Sequence, residues 1–342
     1  MFSNRTIMSI DFNCKYTSII YQKESNSNKT TPFSGLPQPF LRKGYASTFP
    51  YISCNEKGQE ATLSYLQAHP TTLALERRVH LGFSVWFNFD LVAVTQPYYM
   101  ICCDKDDHAM TLYEGISSCI CQSASRQEFV TNFKAFLLEN AEVFFGDTED
   151  FSAIFDLAGE LTREGSWLSK DESFQVVKTL HHEGRALYLN LDITDETEFS
   201  RIAEWLKSRD LGLSTLYVSN IVEWLDSLPL KEAYSRNLHL VVESTTFCIQ
   251  AYKMGGVGQP VQTLGMGEAG IKFPSPRKLA TVHKKRPSAD SASLVSHVSF
   301  KSAESPESPS KRRKIVDSAL SKLELYSSEK IAPGRARKLD QG

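Results

Sequence analysis

The sequence predicts an α/β, Rossmann-like fold: a mostly parallel sheet with helices on both faces, followed by a disordered C-terminal tail. Residues 186–225 alternate apolar strand-like segments with amphipathic helical ones, which is the pattern of a βαβ unit and therefore of a parallel sheet. From Lys272 onward Ser, Pro, Lys and Arg dominate the composition. Such a segment lacks the apolar residues needed to bury a core.

The central unit is predicted as strand, helix, strand and short helix, over residues 186–191, 198–209, 213–218 and 221–225. Apolar residues recur at helical spacing in the first helix, and Gly212 is expected to end it. Ligands of parallel sheets bind beyond the carboxyl ends of the strands, where this unit places Asp192, Ser219 and Asn220. The alternative is that Asp192 only starts a turn and that Ser219 and Asn220 only cap a helix.

Other elements follow from the same periodicities. Helices are predicted over residues 61–68, 110–121, 126–140 and 169–181, a helix or buried segment over 86–94, and strands over 79–83, 98–103 and 238–242. Residues 245–252 are predicted to be the antiparallel partner of the strand at 238–242. Ser169, with Glu172 three residues later, predicts the capping box of its helix.

Asp104 directly follows the apolar strand at 98–103. An acidic residue at the end of the second strand of such a sheet is often the one that holds a nucleotide ribose. The alternative is an exposed turn at residues 104–107. His108 and Glu114 lie nearby in sequence and are candidate acid–base groups, but no residue is assigned a catalytic role.

Three regions are expected: an irregular N-terminal segment (1–50), an α/β domain (51–254) and a flexible basic Ser/Pro-rich tail (255–342). Gly265, Gly267 and Gly270 match the letters of a dinucleotide-binding turn. No clear strand precedes them and Pro274 follows closely, so a flexible linker is the predicted structure.

Charge divides the chain into two parts. The net formal charge is −2, but residues 1–271 carry 22 Lys/Arg against 33 Asp/Glu, and residues 272–342 carry 16 against 7. The seven cysteines form no CxxC pair, which favours reduced thiols in a cytosolic or nuclear setting and no metal site. No Sec-type signal and no membrane span are predicted.

Several segments resemble, in order and spacing, the motifs of a family of uncharacterised bacterial proteins with a class I methyltransferase-like fold. They are residues 82–88 (GFSVWFN), Asp104, residues 169–180 (SKDESFQVVKTL), 191–193 (LDI) and 217–225 (YVSNIVEWL). The last is similar to the family motif Y-x-S-N-V-E-x-Y-L and is the most specific. The resemblance covers about residues 50–250 and implies S-adenosylmethionine binding near Gly82, Asp104, Asp192, Ser219 and Asn220.

The chain departs from that family at four places. The first turn holds a single glycine and the bulky pair Val85-Trp86, Lys105 stands where the family has Arg, Leu191 replaces a Gly, and Val222 replaces a Glu. Two functions therefore remain open: a methyltransferase-like enzyme, and a non-catalytic interaction protein that uses a degenerate nucleotide-binding fold as a platform.

The tail contains a basic cluster formed by Lys311, Arg312, Arg313 and Lys314 in a Ser/Pro-rich setting. Such a cluster is typical of a nuclear import signal read by an importin-type receptor; the alternative is a solvated tail that contacts nucleic acid only loosely. A bacterial-type domain with such a tail suggests the hypothesis of a bacterial effector acting in a host nucleus on an unknown protein.

Overall fold

The computed structural model describes residues 32–47, 51–146, 155–253 and 258–271. The predicted tail from residue 272 onward, with its import-like cluster, lies outside these residues, as do residues 1–31. Within the described part, no helix is both long enough and apolar enough to cross a bilayer.

Six strands form one sheet in the order β3-β2-β1-β4-β5-β6. Their bounds are β1 (Arg78–Phe83), β2 (Tyr99–Asp104), β3 (Ala186–Asn190), β4 (Gly212–Tyr217), β5 (Phe247–Tyr252) and β6 (Val261–Met266). The first five strands are parallel, and β6 pairs antiparallel with β5. The predicted α/β fold with a mostly parallel sheet is confirmed.

Helices cover both faces of the sheet. The described helices are α1 (Gln59–Ala68), α2 (Phe87–Thr95), α3 (Asp107–Gln122), α4 (Arg126–Glu139), α5 (Ala141–Phe145), α6 (Asp171–His182), α7 (Glu196–Ser208), α8 (Leu228–Val241) and the single turn α9 (Gly267–Gly270). Helices α2 to α6 share a core with one side of the sheet, and α7 and α8 share a core with the other. Strand β2 shows why: Met100 and Cys102 face the first core, and Ile101 and Cys103 face the second.

The chain leaves β1 and β4 in opposite directions. From β1 it passes through α2 to β2 on one side, and from β4 it passes through α8 to β5 on the other. Helix α7 joins β3, at the edge of the sheet, to β4. Adjacent strands whose connections diverge leave a crevice beyond their carboxyl ends, where ligands of this architecture bind. The predicted βαβ unit is therefore present, but its two strands are separated by β2 and β1.

Residues 238–242, predicted as a strand, are the end of helix α8, and that prediction is wrong. Tyr234, Asn237, Leu238 and Val241 are the buried residues of α8, at the spacing of one helix face. The short run LHLVV resembles a strand only when it is read without the preceding turn. As a result β5 is parallel to β4, and its antiparallel partner is β6.

Two predicted helix ends also differ. Ser169 is not the cap of α6, because the helix begins at Asp171 with Lys170 at the N-cap; the Ser169 hydroxyl donates instead to the Ser166 carbonyl at 2.7 Å. Gly212 does not end α7, which is capped at Arg209. Gly212 is the first residue of β4.

The sheet continues past residue 254, where the domain was expected to end. Strand β6 pairs with β5 over six residues, so the prediction of a flexible linker is wrong for residues 258–271. Gly265 and Gly270 pack so closely that a methyl group on Gly265 would lie 2.5 Å from Gly270 Cα. A close backbone contact therefore accounts for two of the three glycines in this run.

Candidate functional site

A cavity of about 530 Å³ lies at the carboxyl ends of all five parallel strands. Its wall takes residues from each strand end in turn: Phe83 and Ser84 after β1, Asp104 and Lys105 at β2, Leu191 and Asp192 after β3, Ser219 and Asn220 after β4, and Lys253 after β5. This is the crevice that the strand order creates between β1 and β4. Its volume falls within the usual range for small-molecule sites.

Four of the five predicted cofactor residues line this cavity: Asp104, Asp192, Ser219 and Asn220. The strand-end rule therefore brings together side chains that are more than a hundred residues apart in sequence. Gly82 does not line it. Their role in binding a cofactor stays a prediction.

Gly82 makes room for a neighbouring side chain. A methyl group at this position would lie 1.7 Å from Asn88 Oδ1 and 2.7 Å from His80 Nε2. Asn88 is fully buried and donates its amide to the Ser84 carbonyl at 2.5 Å. Asn88 thus occupies the space above Gly82 and holds the turn that follows β1.

The turn after β1 leaves the cavity open although its residues are bulky. Ser84 has a positive φ of 67°, and its carbonyl also accepts a hydrogen bond from Tyr113. Val85 and Trp86 are buried in the core on one side of the sheet, and neither lines the cavity. The bulky side chains at these two positions, where the chain differs from the family motif, therefore pack into the core and do not narrow the cavity.

Asp104 is the half-buried carboxyl at the tip of β2. Burial raises its pKa to about 6, against the opposing effect of hydrogen bonds from the backbone N–H groups of Asp106 and Lys105. The Asp106 bond measures 3.0 Å. At neutral pH the carboxylate is mostly ionised and can accept hydrogen bonds from ligand hydroxyl groups.

Glu56 belongs to the cavity wall, and the sequence did not point to it. It is buried, accepts a hydrogen bond from the Ser219 hydroxyl, and accepts a second from Gln262 Nε2 at 2.8 Å. Backbone hydrogen bonds of Lys57 with Pro260 and Gln262 fix this segment to the start of β6. Glu56 lies outside any helix or strand, so no periodicity could have singled it out.

The mouth of the cavity is lined by three exposed aromatic residues that the sequence analysis also missed: Tyr45, Tyr51 and Trp224. The Tyr51 and Trp224 rings lie 6.3 Å apart. Trp224 follows the 3-10 turn Ile221–Glu223, within the most specific family-like motif. It lies seven residues beyond the end of β4, outside any helix or strand, so no periodicity in the sequence points to it.

Glu223 holds the Trp224 turn in place. Its carboxylate accepts hydrogen bonds from the Lys253 backbone N–H at 2.6 Å and from Asn220 Nδ2 at 3.1 Å. The loop after β4 is thereby tied to the end of β5. Asn220 therefore anchors this loop as well as lining the cavity.

The N-terminal segment crosses the opposite side of the mouth. The Asp107 carboxylate accepts hydrogen bonds from the backbone N–H groups of Lys43 at 3.0 Å and Gly44 at 2.8 Å, and Ser47 donates to Asp106. Tyr45 and Ser47 thereby become part of the cavity wall.

His108 and Glu114 do not line the cavity. Glu114 forms an ion pair with Arg42 at 2.7 Å, and burial raises its pKa. The hypothesis that these two residues act as acid–base groups at the site therefore has no geometric support. His181 lies in the last turn of α6 and hydrogen-bonds the Val177 carbonyl and the Tyr188 hydroxyl.

No cluster of three or more His, Cys, Asp or Glu side chains suited to a metal ion occurs in residues 32–47, 51–146, 155–253 and 258–271. The chemistry available at the cavity is that of carboxylates, hydroxyls, amides, aromatic rings, two lysine ammonium groups and the Cys54 thiol.

A domain of unknown function, DUF7790, matches residues 155–269, about a third of the chain, from the loop before α6 into α9. No curated protein sequence matches. Among solved structures, the rRNA methyltransferase aviRa from Streptomyces viridochromogenes is similar over 71% of this chain and 95% of its own, at 10% sequence identity and a TM-score of 0.33. A similarity this low supplies no correspondence between individual residues.

Proposed function

We propose that the cavity binds S-adenosylmethionine or a closely related nucleoside and that the protein is a methyltransferase. The observation that carries the proposal is the position of Asp104: a carboxylate at the end of β2, in a cavity at the crevice between β1 and β4. In sheets of this order that position is suited to hydrogen bonds with ribose hydroxyls. When bound, S-adenosylmethionine supplies an electrophilic methyl group.

The charge of the wall supports the same ligand. Four carboxylates line the cavity (Glu56, Asp104, Asp106 and Asp192) against two lysines (Lys105 and Lys253). A sulfonium ligand carries positive charge, so this wall favours it over an anionic nucleotide such as a di- or triphosphate. Phe83, Leu191 and Ile193 supply apolar surface for a base.

Calorimetric titration of the full chain with S-adenosylmethionine and with S-adenosylhomocysteine tests the proposal. We expect binding in the micromolar range for the parent protein. Binding to Asp104→Asn should be at least about tenfold weaker, because the asparagine amide presents one acceptor oxygen to the ribose hydroxyls where the carboxylate presents two. Asp210→Asn removes a carboxylate from an exposed ion pair with Arg77 and should bind like the parent. No heat of binding at millimolar ligand would refute the proposal.

The second candidate function is a non-catalytic platform. It is favoured by the single glycine of the first turn, since Asn88 fills the space above Gly82 and none of the described residues that line the cavity is a glycine that would bring its backbone close to a ligand. The same titration separates the two functions, because a platform without a cofactor site gives no binding of either ligand.

We propose that the tail determines where in the cell the protein acts. The cluster Lys311–Lys314 in its Ser/Pro-rich setting supports recognition by an importin-type receptor and action in a nucleus, the nucleus of a host cell if the protein is a bacterial effector. Ser308 is followed by Pro309 and precedes the cluster by three residues. Phosphorylation there would place about two negative charges beside it and weaken recognition.

A further inference from the structure

We propose that the acceptor entering this cavity is a cationic side chain, a lysine or arginine of a basic peptide, received between Trp224 and Tyr51. The inference rests on the proposed function and names the substrate class of the same site. It depends on three features: the exposed rings at the mouth, the charge of the cavity wall, and the net charge of residues 1–271 in the sequence.

The Trp224 and Tyr51 rings are exposed, and the turn that carries Trp224 is held in position. Trp224 and Tyr51 are each 62% exposed, although both line the cavity. The hydrogen bonds of Glu223 to Asn220 and Lys253 fix the turn that carries Trp224. A fixed ring that leaves most of its surface in water provides a ready contact for a ligand.

Two rings at this mouth already hold cations. Lys253 Nζ lies 5.7 Å from the Trp224 ring centroid, and Lys105 Nζ lies 4.9 Å from the Tyr45 centroid. Both distances are within the range of cation–π attraction. The chain's own lysines thus show what kind of group these rings attract at this place.

Beyond the rings, the wall offers carboxylates. Glu56 on the Ser219 side and Asp192 after β3 line the cavity, and the two lysines of the wall are directed to the rings. An ammonium or guanidinium group passing between Trp224 and Tyr51 would therefore approach two carboxylates that form no ion pair among the described residues. A phosphate group would be repelled by the same carboxylates.

The net charge of residues 1–271 also favours a cationic ligand. Residues 1–271 carry 11 more acidic than basic residues, a field that attracts basic peptides and opposes a polyanion such as RNA. An aromatic platform alone would also suit an unpaired base of RNA. The negative charge of the cavity wall and of residues 1–271 favours the basic peptide over the RNA.

Tryptophan fluorescence provides a local test, because Trp224 is the one exposed indole of the four; Trp86, Trp167 and Trp205 are each at most 2% exposed. The full chain, with S-adenosylhomocysteine added, is titrated with a short Lys- and Arg-containing peptide while quenching by acrylamide is followed. We expect the basic peptide to protect Trp224 from the quencher. An acidic peptide of equal length and a single-stranded oligouridine should leave it accessible.

Variants measured by calorimetry complete the test. Trp224→Ala should weaken binding of the basic peptide by about 2- to 30-fold, and Trp224→Phe should restore part of it. Tyr65→Ala removes an exposed ring that does not line the cavity and should bind like the parent. Protection by oligouridine in place of the basic peptide, or by neither, overturns the inference. If S-adenosylhomocysteine binds but the peptide does not, this inference fails alone; if the nucleoside does not bind, the proposed function fails.

Discussion

At Gly82 the constraint comes from a buried amide. Asn88 Oδ1 lies 3.0 Å from His80 Nε2, and His80 Nδ1 lies 2.7 Å from the Thr215 hydroxyl. This chain of polar groups joins β1 to β4 under the floor of the cavity, where a buried group that loses its partner costs free energy. The family resemblance assigned Gly82 to a cofactor, and the structure gives it a different neighbour.

Gly82→Ala is therefore expected to destabilise the fold. The added methyl group must displace Asn88, so we expect a loss of about 1–3 kcal/mol in the free energy of unfolding, as for overpacked cores, measured by urea denaturation. Gly212→Ala is the matched control, because it also changes a strand glycine but its nearest atoms lie 3.1–3.3 Å away at side-chain ends. Equal stability of the two variants would contradict the assignment.

Asp104 should make cofactor binding depend on pH. Its pKa of about 6 is raised by burial, and only the ionised form accepts hydrogen bonds from both ribose hydroxyls. Affinity for S-adenosylhomocysteine should therefore be constant above pH 7 and fall as the pH drops through 6. Calorimetry from pH 5 to 8 measures this. Asp104→Asn should bind weakly at every pH, and a midpoint near 6 retained in that variant would assign the titration to another group.

Among the elements, residues 155–170, which precede α6, are held by a buried ionic cluster. Arg163 pairs with Asp90 of α2 at 2.6 Å and with Glu160 at 2.7 Å. Glu160 also accepts a hydrogen bond from Trp86 Nε1 at 2.8 Å. Burial raises the pKa of Asp90 to about 7 although Arg163 opposes the shift, so the cation is needed to keep this carboxylate charged.

Arg163→Met should cost about 3–5 kcal/mol in the free energy of unfolding, because it leaves two acidic groups without their counterion. Arg77→Met breaks the exposed Arg77–Asp210 pair of 2.7 Å and should cost less than about 1 kcal/mol. Urea denaturation of both variants gives the comparison. Similar losses would show that the cluster contributes no more than a surface pair.

The elements that sequence predicts well are those with a clear period. Strands β1 to β4 and helices α3, α4 and α7 were predicted within a few residues. Helix α8 was misread because its last turn, LHLVV, is continuously apolar, and β6 was missed because VQTLGM alternates weakly. Its place beside β5 depends on partners distant in sequence, which local propensity does not contain.

For the whole molecule, strand order decides which predicted residues meet. The rule that ligands bind at strand ends is enough to select Asp104, Asp192, Ser219 and Asn220, even when the order of the strands in the sheet is not known. The order was needed to show that β1 and β4 are neighbours and that Tyr51, Glu56 and Trp224 lie at the same cavity. Side chains on irregular segments are positioned by tertiary contacts, so no pattern in the sequence could place them there.

The basic tail, residues 272–342, should direct the protein to the nucleus. A fluorescent fusion of the full chain in cultured eukaryotic cells should accumulate in the nucleus, and replacing Lys311, Arg312, Arg313 and Lys314 by Ala should return it to the cytoplasm. Ala replacements at Lys284, Lys285 and Arg286 remove another basic cluster of the tail and should have a smaller effect. Ser308→Glu should lower the nuclear fraction and Ser308→Ala should not, since only the former adds charge beside the cluster. Equal distribution of the parent and the four-residue variant would remove the basis for nuclear action and leave any methyltransferase activity to be sought in the cytoplasm.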